Sequence, residues 1–338
     1  MYTTAVCRAL TSLRVCGNRS TLSILCKPNL ALPAHLFPSL QRTGLWAPHR
    51  SCKLHSTAPA ALGSTTESLP GIGAQMLLGR ADAYEGFIVS ADDLPSTSDE
   101  FDSRLQQSLQ DWQKSGKKGI WITVPADKSQ LIPVAVQHGF TFHHAEKGYV
   151  MLTRWLPTTE DTLPPNASHQ VGIGAFVVNS KKEVLVVQER FGPLKGSGVW
   201  KMPTGLVLVG EDITEAAERE VLEETGLEAT FEAVLAIRQS HKAAFGKSDM
   251  FFAVALKPVD DSQKLVAQAT EVDGVKWMPL EEYASNPFSA TKPLYNKLVQ
   301  QCVAYANGTY TGMKASSMNS GRGDRVELLI HGTDSPKL

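Results

Sequence analysis

The chain has 338 residues, of which 42% are hydrophobic and 20% charged, with 33 basic and 34 acidic side chains. That length allows about two domains, and that composition suits a globular chain with a real core rather than a disordered or fibrous one. No run of 18 or more apolar residues occurs, which excludes a membrane-spanning helix.

The net charge of −1 hides an asymmetry. The first 66 residues contain no Asp or Glu, and Glu67 is the first acid. The same stretch holds Arg8, Arg14, Arg19, Lys27, Arg42, Arg50 and Lys53 and is rich in Ser, Thr, Leu and Ala. An acid-free, Arg- and Ser-rich leader is the composition of an organelle transit peptide. Residues 1–60 are therefore expected to direct mitochondrial import, with a cytoplasmic pool also open. Without those seven basic residues, 26 basic side chains face 34 acidic ones, a net charge near −8. An acidic protein without a basic stripe is a poor binder of nucleic acid or membrane. Four of the five cysteines (Cys7, Cys16, Cys26 and Cys52) lie in the leader and leave only Cys302, so no disulfide framework is expected.

Residues 72–156 read as a small α/β domain. Gly86 to Val89 and Ile120 to Val124 are short, apolar and partly β-branched, as buried strands are. Between them Phe101, Leu105, Leu109 and Trp112 recur at helical spacing, with Asp99 and Glu100 in the first turn. Leu131 to Val136 suggests a second helix, and Phe140 to Phe142 with Tyr149 to Leu152 a closing pair of strands. His143 and His144 adjoin that pair, but neighbouring strand residues face opposite ways, so they are not expected to act together. Residues 157–168 form a linker by composition, broken by Pro157, Pro164 and Pro165.

A second domain is expected over residues 169–305. Val171 to Val178 and Val184 to Gln188 flank an Asn-Ser-Lys-Lys turn and predict a hairpin. A helix from Ile213 to Thr225 follows, then strands at Phe231 to Arg238, Met250 to Leu256 and Val272 to Trp277, and a helix from about Thr291 to Tyr305. Mixed strands with helices on both sides imply an α/β/α sandwich. Residues 306–338 are Gly- and Ser-rich and are expected to form a disordered tail.

The chemistry is concentrated in one stretch. Gly205 is followed after five residues by Glu211, and after seven more by Arg219-Glu220-Val221-Leu222-Glu223-Glu224-Thr225-Gly226-Leu227. Asp212 with Glu215 three residues on is a capping pair that starts a helix, and Gly226 supplies the left-handed residue that ends one. Inside, Glu220, Glu223 and Glu224 stand at i, i+3 and i+4 and share a face. Like charges at that spacing cost a few tenths of a kcal/mol per pair, a cost that a cation among them would offset. Carboxylate oxygens suit Mg²⁺ or Mn²⁺. Arg219 is spaced to pair with Glu223, and Ala216 and Ala217 leave room for a ligand on the carboxylate side.

This stretch resembles the Nudix box at every fixed position. The resemblance implies a Nudix α/β/α sandwich and hydrolysis of a nucleoside diphosphate linked to another moiety. It implies metal ligation by Glu220, Glu223, Glu224 and the Gly205 carbonyl, an orienting role for Arg219, and support of the loop and helix by Glu211. Within the family, Pro203-Thr204-Gly205, Arg238-Gln239-Ser240-His241 and Lys247 to Phe252 are similar to one subgroup. That subgroup contains the vertebrate Nudix protein encoded antisense to basic fibroblast growth factor and plant hydrolases of ADP-ribose and NADH. Its pre-Nudix domain has an acetyltransferase-like core. Here no Gly-rich pyrophosphate loop for acyl-coenzyme A occurs in residues 72–156, so that domain is read as a packing or homodimer-forming module. ADP-ribose and NADH lead as small-molecule substrates, with coenzyme A and FAD behind them. Removal of an RNA 5′ cap or NAD cap, and a Nudix-fold binding protein of weak or no activity, are the alternatives. Glu224 and Glu271 are the candidates for general base. His241, Lys242 and Lys247, in a loop beside the site, are candidates for contacting substrate phosphates.

Overall fold

The structure, a computed structural model, describes residues 75–319 and 325–331. The leader expected over residues 1–60 lies outside them. The chain divides into two compact units, which part between Leu163 and Pro164.

The first unit contains β1 (Gly79–Ala81), β2 (Phe87–Val89), α1 (Ser98–Lys114), β3 (Gly119–Pro125), α2 (Ile132–Gln137), β4 (Thr141–Glu146) and β5 (Tyr149–Trp155). The strands form one sheet in the order β1-β2-β3-β5-β4, with only β2 and β3 parallel. A parallel pair needs a crossover connection, and α1 supplies it. Thr97 caps that helix by accepting the Glu100 N–H. Its apolar face, Phe101, Leu105, Leu109 and Trp112, is buried in one cluster with Ile120, Ile122 and Val124 of β3. Arg104 is buried among them with its donors matched. It donates to Asp93 Oδ2 at 2.5 Å and to the carbonyls of Gln75, Met76 and Asp93 at 2.9, 3.2 and 3.3 Å.

The histidine reading needs correction. The register of β4 against β5 shifts between Phe142 and His144, so a bulge inserts one residue and breaks the alternation of faces. His143 and His144 consequently turn towards each other, with Nδ1 atoms 2.6 Å apart, and their rings stack edgewise between Trp121 and Tyr149.

Residues 156–168 form neither helix nor strand. The second unit carries β6 (His169–Val177), β7 (Glu183–Glu189), β8 (Thr204–Leu206), α3 (Ile213–Thr225), β9 (Ala229–Ser240), β10 (Ser248–Pro258) and β11 (Val272–Pro279). Then come α4 (Leu280–Ala284), α5 (Pro287–Ala290), α6 (Pro293–Ala306), β12 (Lys314–Asn319) and β13 (Arg325–Ile330). A mixed four-stranded sheet runs β8-β6-β10-β9, with β6 and β10 parallel. One face, through Ile173, Ala175, Val177, Val254 and Leu256, packs on Ala216, Ala217 and Val221 of α3. The other face, through Phe176, Ala233, Leu235, Ala253 and Ala255, packs on Val299 and Cys302 of α6. This is the α/β/α sandwich.

Three expectations fail here. The predicted β6–β7 hairpin is reduced to a single bridge, Val178 to Val184, because β7 pairs along its length with β11 in a separate two-stranded sheet. Ala216 and Ala217 do not border a ligand space: both are fully buried in the core beneath α3. The tail is not wholly irregular either. Arg-Val-Glu-Leu-Leu-Ile is mostly apolar and includes the β-favouring Val326 and Ile330. As β13 it pairs antiparallel with β12, with Leu329 against the core and the Met313 bridge to Val234 tying the hairpin to β9.

Candidate active site

The site is built where α3 crosses β8. Asp212 and Glu215 form the capping box that starts α3, with the Asp212 N–H donating to Glu215 at 3.1 Å. Gly226 ends the helix at φ 69°, a left-handed conformation that costs glycine nothing. The Val266 and Gln268 N–H groups then bond the Thr225 and Glu224 carbonyls at 2.8 and 3.1 Å. This satisfies helix-terminal acceptors that would otherwise be left open.

On this helix the three glutamates do not share one environment. With 3.6 residues per turn, Glu223 and Glu224 point about 100° apart and flank Glu220. Glu220 and Glu224 are each only 7% exposed, whereas the Glu223 side chain is 51% exposed. Gly205, opposite Ile173 in the β8–β6 pair, lies directly against the Glu220 carboxyl. A Cβ at Gly205 would stand 1.8 Å from Glu220 Cδ. Only glycine lets the β8 backbone approach the carboxylate this closely.

Arg219 organises the exposed rim. Its Nε and Nη2 grip both oxygens of Glu211 at 2.6 and 2.9 Å, and Nη2 also bonds the Leu206 carbonyl at 3.0 Å. Its Nη1 reaches Glu220 at 2.8 Å and Glu223 at 3.3 Å. The Glu223 pair foreseen from spacing is thus present, but the bidentate grip on Glu211 is the tighter contact. Glu211 also accepts the Leu208 N–H at 2.8 Å, so one carboxylate braces both the loop and the helix. Arg219 donation holds the Glu211 carboxyl below the usual carboxylate range, and the same bond raises the guanidinium further.

Burial acts the other way on the inner pair. Desolvation raises Glu220 despite its Arg219 contact. It pushes Glu224 up to about 8, against the opposing charge of Lys201 and with added repulsion from Glu220 and Glu271. Glu271, half-buried just ahead of β11, therefore belongs to the electrostatic surroundings of both glutamates.

His241 and Lys247 are not brought to this cluster. They sit in the β9–β10 turn, where His241 Nδ1 meets Ser248 Oγ at 3.0 Å and Lys247 donates to the Ala167 carbonyl. Ser248 pairs with His169, whereas Gly205 pairs with Ile173, a separation of about 13 Å along β6. Lys242 shares that turn. Conversely, spacing alone does not single out Lys201, which contacts Glu189 and Thr204 at 3.0 and 2.6 Å. A lone lysine between Trp200 and Met202 matches no motif.

The donor set fits a hard divalent cation. Glu224 Oε2 is buried without a hydrogen-bond partner, and an uncompensated buried carboxylate oxygen is costly unless something charged meets it. The Gly205 backbone lies against the Glu220 carboxyl, and Glu220 is near enough to Glu224 to repel its charge. Among the described residues, no three His, Cys, Asp or Glu side chains stand together in a group that could hold a metal ion by itself. Mg²⁺ does not need one, since it keeps several waters and takes one or two carboxylates beside substrate phosphates.

Family comparison agrees with this geometry. Residues 168–300 match the NUDIX domain family and residues 77–156 a family described as Nudix hydrolase domain. The chain is 46% identical over 262 residues to Nudix hydrolase 2 of Arabidopsis thaliana, covering 78% of this chain and 90% of that one. The chain belongs to the Nudix hydrolase family. It is also 46% identical over 233 residues to Arabidopsis thaliana Nudix hydrolase 8, across 69% of this chain and 63% of the relative. To human nucleoside diphosphate-linked moiety X motif 6 it is 37% identical over 240 residues, 68% and 73% of the two chains. As a Nudix protein it is a hydrolase of diphosphate bonds, from a family that works on small nucleotide substrates with divalent metal ions. Among the described residues no helix is long and apolar enough to cross a membrane.

Proposed function

We propose that this Nudix hydrolase splits a nucleoside diphosphate linked to a second moiety, with ADP-ribose and NADH its first substrates and Mg²⁺ or Mn²⁺ its cofactor. The observation that carries the reading is the buried, unpartnered Glu224 oxygen beside Glu220 and the Gly205 backbone. Glu220, Glu224 and the Gly205 carbonyl would hold the cation, with Glu223 reaching it from the rim. A bound divalent cation neutralises phosphate charge and lowers the pKa of water.

The chain's own groups do the rest. Arg219 fixes the direction of Glu220 and Glu223, and its grip on Glu211 keeps the 206–211 loop against α3. Glu271 stands close enough to feel both inner glutamates, and it or Glu224 takes the proton as water attacks phosphorus. Two like-charged neighbours raise an acceptor's affinity for that proton. An acidic surround also disfavours long polyanions, which supports a small nucleotide over capped RNA.

The test is product analysis with the full chain, Mg²⁺ or Mn²⁺, and ADP-ribose, NADH, coenzyme A, FAD and capped RNA in parallel. AMP release from ADP-ribose or NADH, dependent on metal and lost in Glu223→Gln, is the expected result. Cleavage confined to capped RNA would replace this substrate class with decapping. Folded protein with no turnover on any compound would overturn the hydrolytic reading.

A further inference from the structure

Lys201 lies outside the glutamate motif, yet its charge acts on Glu224, the carboxyl that burial raises most. Its backbone is fixed by paired bonds with Val187, at 2.8 and 3.0 Å, which clamp the approach to β8 onto β7. Its side chain is only 21% exposed. The ammonium donates to Glu189 Oε1 at 3.0 Å and to Thr204 Oγ1 at 2.6 Å. Thr204 is the residue before Gly205, and its backbone lies near enough to the Glu224 carboxyl to oppose the rise that burial causes there. Lys201 is therefore held one residue away from the groups that would meet the diphosphate.

The Lys201–Glu189 pair is not a closed ion pair. An ammonium has three donors, and two are used here. Glu189 Oε2 is buried and has no hydrogen-bond partner. An ion pair retained only for stability is expected to satisfy both its members. This one spends Glu189 on holding Lys201 in place and leaves the lysine one donor short of saturation. A lysine acts on phosphate as a point charge, and at this location it adds positive charge where the box itself offers mostly carboxylates.

We propose that Lys201 is a substrate-binding residue whose ammonium contacts a non-bridging oxygen of the diphosphate, with Glu189 and Thr204 as the positioning residues that aim it. This rests on the diphosphate-hydrolase reading above.

The test is a binding measurement, independent of turnover. Calorimetry follows α,β-methylene ADP-ribose, which cannot be cleaved at the diphosphate link, titrated into the full chain with and without Mg²⁺. Lys201→Met is expected to weaken binding by roughly 10- to 100-fold, the size of a lost hydrogen bond to a charged group. Lys201→Arg is expected to restore part of it. Lys201→Met also strands Glu189, so the double variant Lys201→Met/Glu189→Gln is measured alongside, with thermal unfolding as the check on folding. A purely structural lysine predicts that the double variant recovers both stability and affinity. A phosphate contact predicts recovery of stability alone. Wild-type affinity in folded Lys201→Met, or affinity regained in the double variant, would overturn the proposal while leaving the hydrolase reading intact. A wild-type chain that cleaves ADP-ribose yet shows no Lys201 effect separates the two in the same way. No binding to wild type in either buffer would overturn both.

Discussion

The two units treat buried charge in opposite ways. In residues 75–163, Arg104 is buried but surrounded by the Asp93 and Glu100 carboxylates and three carbonyls that match its donors. In residues 164–331, Glu224, Glu189, Gln268 and Arg238 each keep a buried side-chain atom without a partner, and among the described residues these four are the whole set. Both units have a mixed sheet and a helix packed against it, so architecture does not explain the difference. A fold that exists to be stable closes its polar groups; a site that must receive charged ligands leaves some open. Where a polar network is incomplete is therefore a better guide to function than where it is merely buried.

The sharpest way to break the contrast is at Gly205. In Gly205→Ala the new Cβ falls within 1.8 Å of the Glu220 carboxyl, so the carboxylate or β8 must shift. Displacement of a reacting group by about 1 Å costs on the order of 10²-fold in rate, and overpacking costs about 1–3 kcal/mol in stability. Turnover is expected to fall by about two orders of magnitude with a folded protein by circular dichroism. Near-normal kcat would show that the close approach is dispensable.

Arg104→Met probes the closed network. It strands Asp93 and three carbonyls, and breaking a buried pair by removing one partner costs about 3–5 kcal/mol. The unfolding free energy from urea titration should drop by that amount, with a lower midpoint, while kcat per folded molecule stays unchanged. Glu224→Gln probes the open one, and here the sign reverses. Burial lifts the Glu224 carboxyl to about 8, above its unfolded value. In metal-free buffer the folded state thus holds a proton that the unfolded state has released, and stability contributed by this group is lost as pH rises through about 8. Glu224→Gln should match the parent below pH 4.5, where both states are protonated. It should become the more stable protein above pH 8, by roughly 1–3 kcal/mol. Parallel stability curves for the two proteins from acid to alkaline pH would remove the open-network account.

The sequence revealed the helix that carries the site with its exact cap and stop, because Asp212, Glu215 and Gly226 act within one or two turns. What it could not reveal depends on partners distant along the chain. Arg219 sits at the right spacing for Glu223, yet the loop returns Glu211 to it in a better geometry. Ala216 and Ala217 looked like room for a ligand because helical spacing does not say which neighbouring layer covers which face. His143 and His144 meet because of a bulge, and strand periodicity assumes none. The turn at residues 179–183 forms as spacing suggests, but beyond it β7 pairs with β11, a partner that local sequence does not reveal. Lys201 was illegible for the same reason: its meaning lies in Glu189 and Thr204, brought together by the β7 bridge.

The smallest expected effect concerns the tail hairpin, which the composition of residues 306–338 had concealed. Several contacts attach β12 and β13 to the Nudix unit, among them a 2.8 Å bond from the Lys314 ammonium to the Glu232 carbonyl. Met313 and Val234 exchange two backbone bonds of 2.8 Å, Leu329 packs against the core beneath α3, and Thr214 in the first turn of α3 donates to Glu327 Oε1 at 2.6 Å. Thr214→Val keeps shape and removes only the last of these, a loss of about 1 kcal/mol. Because the backbone bridge and Leu329 remain, the hairpin should stay docked, with trypsin cleavage after Lys314 only severalfold faster and the midpoint of global unfolding barely moved. Much faster cleavage would mean that the hydroxyl, rather than the apolar contact, is the main anchor. No change at all would mean that the Glu327 bond adds nothing, and that the remaining contacts, the Met313 bridge, the Lys314 bond to Glu232 and the Leu329 packing, hold this hairpin without it.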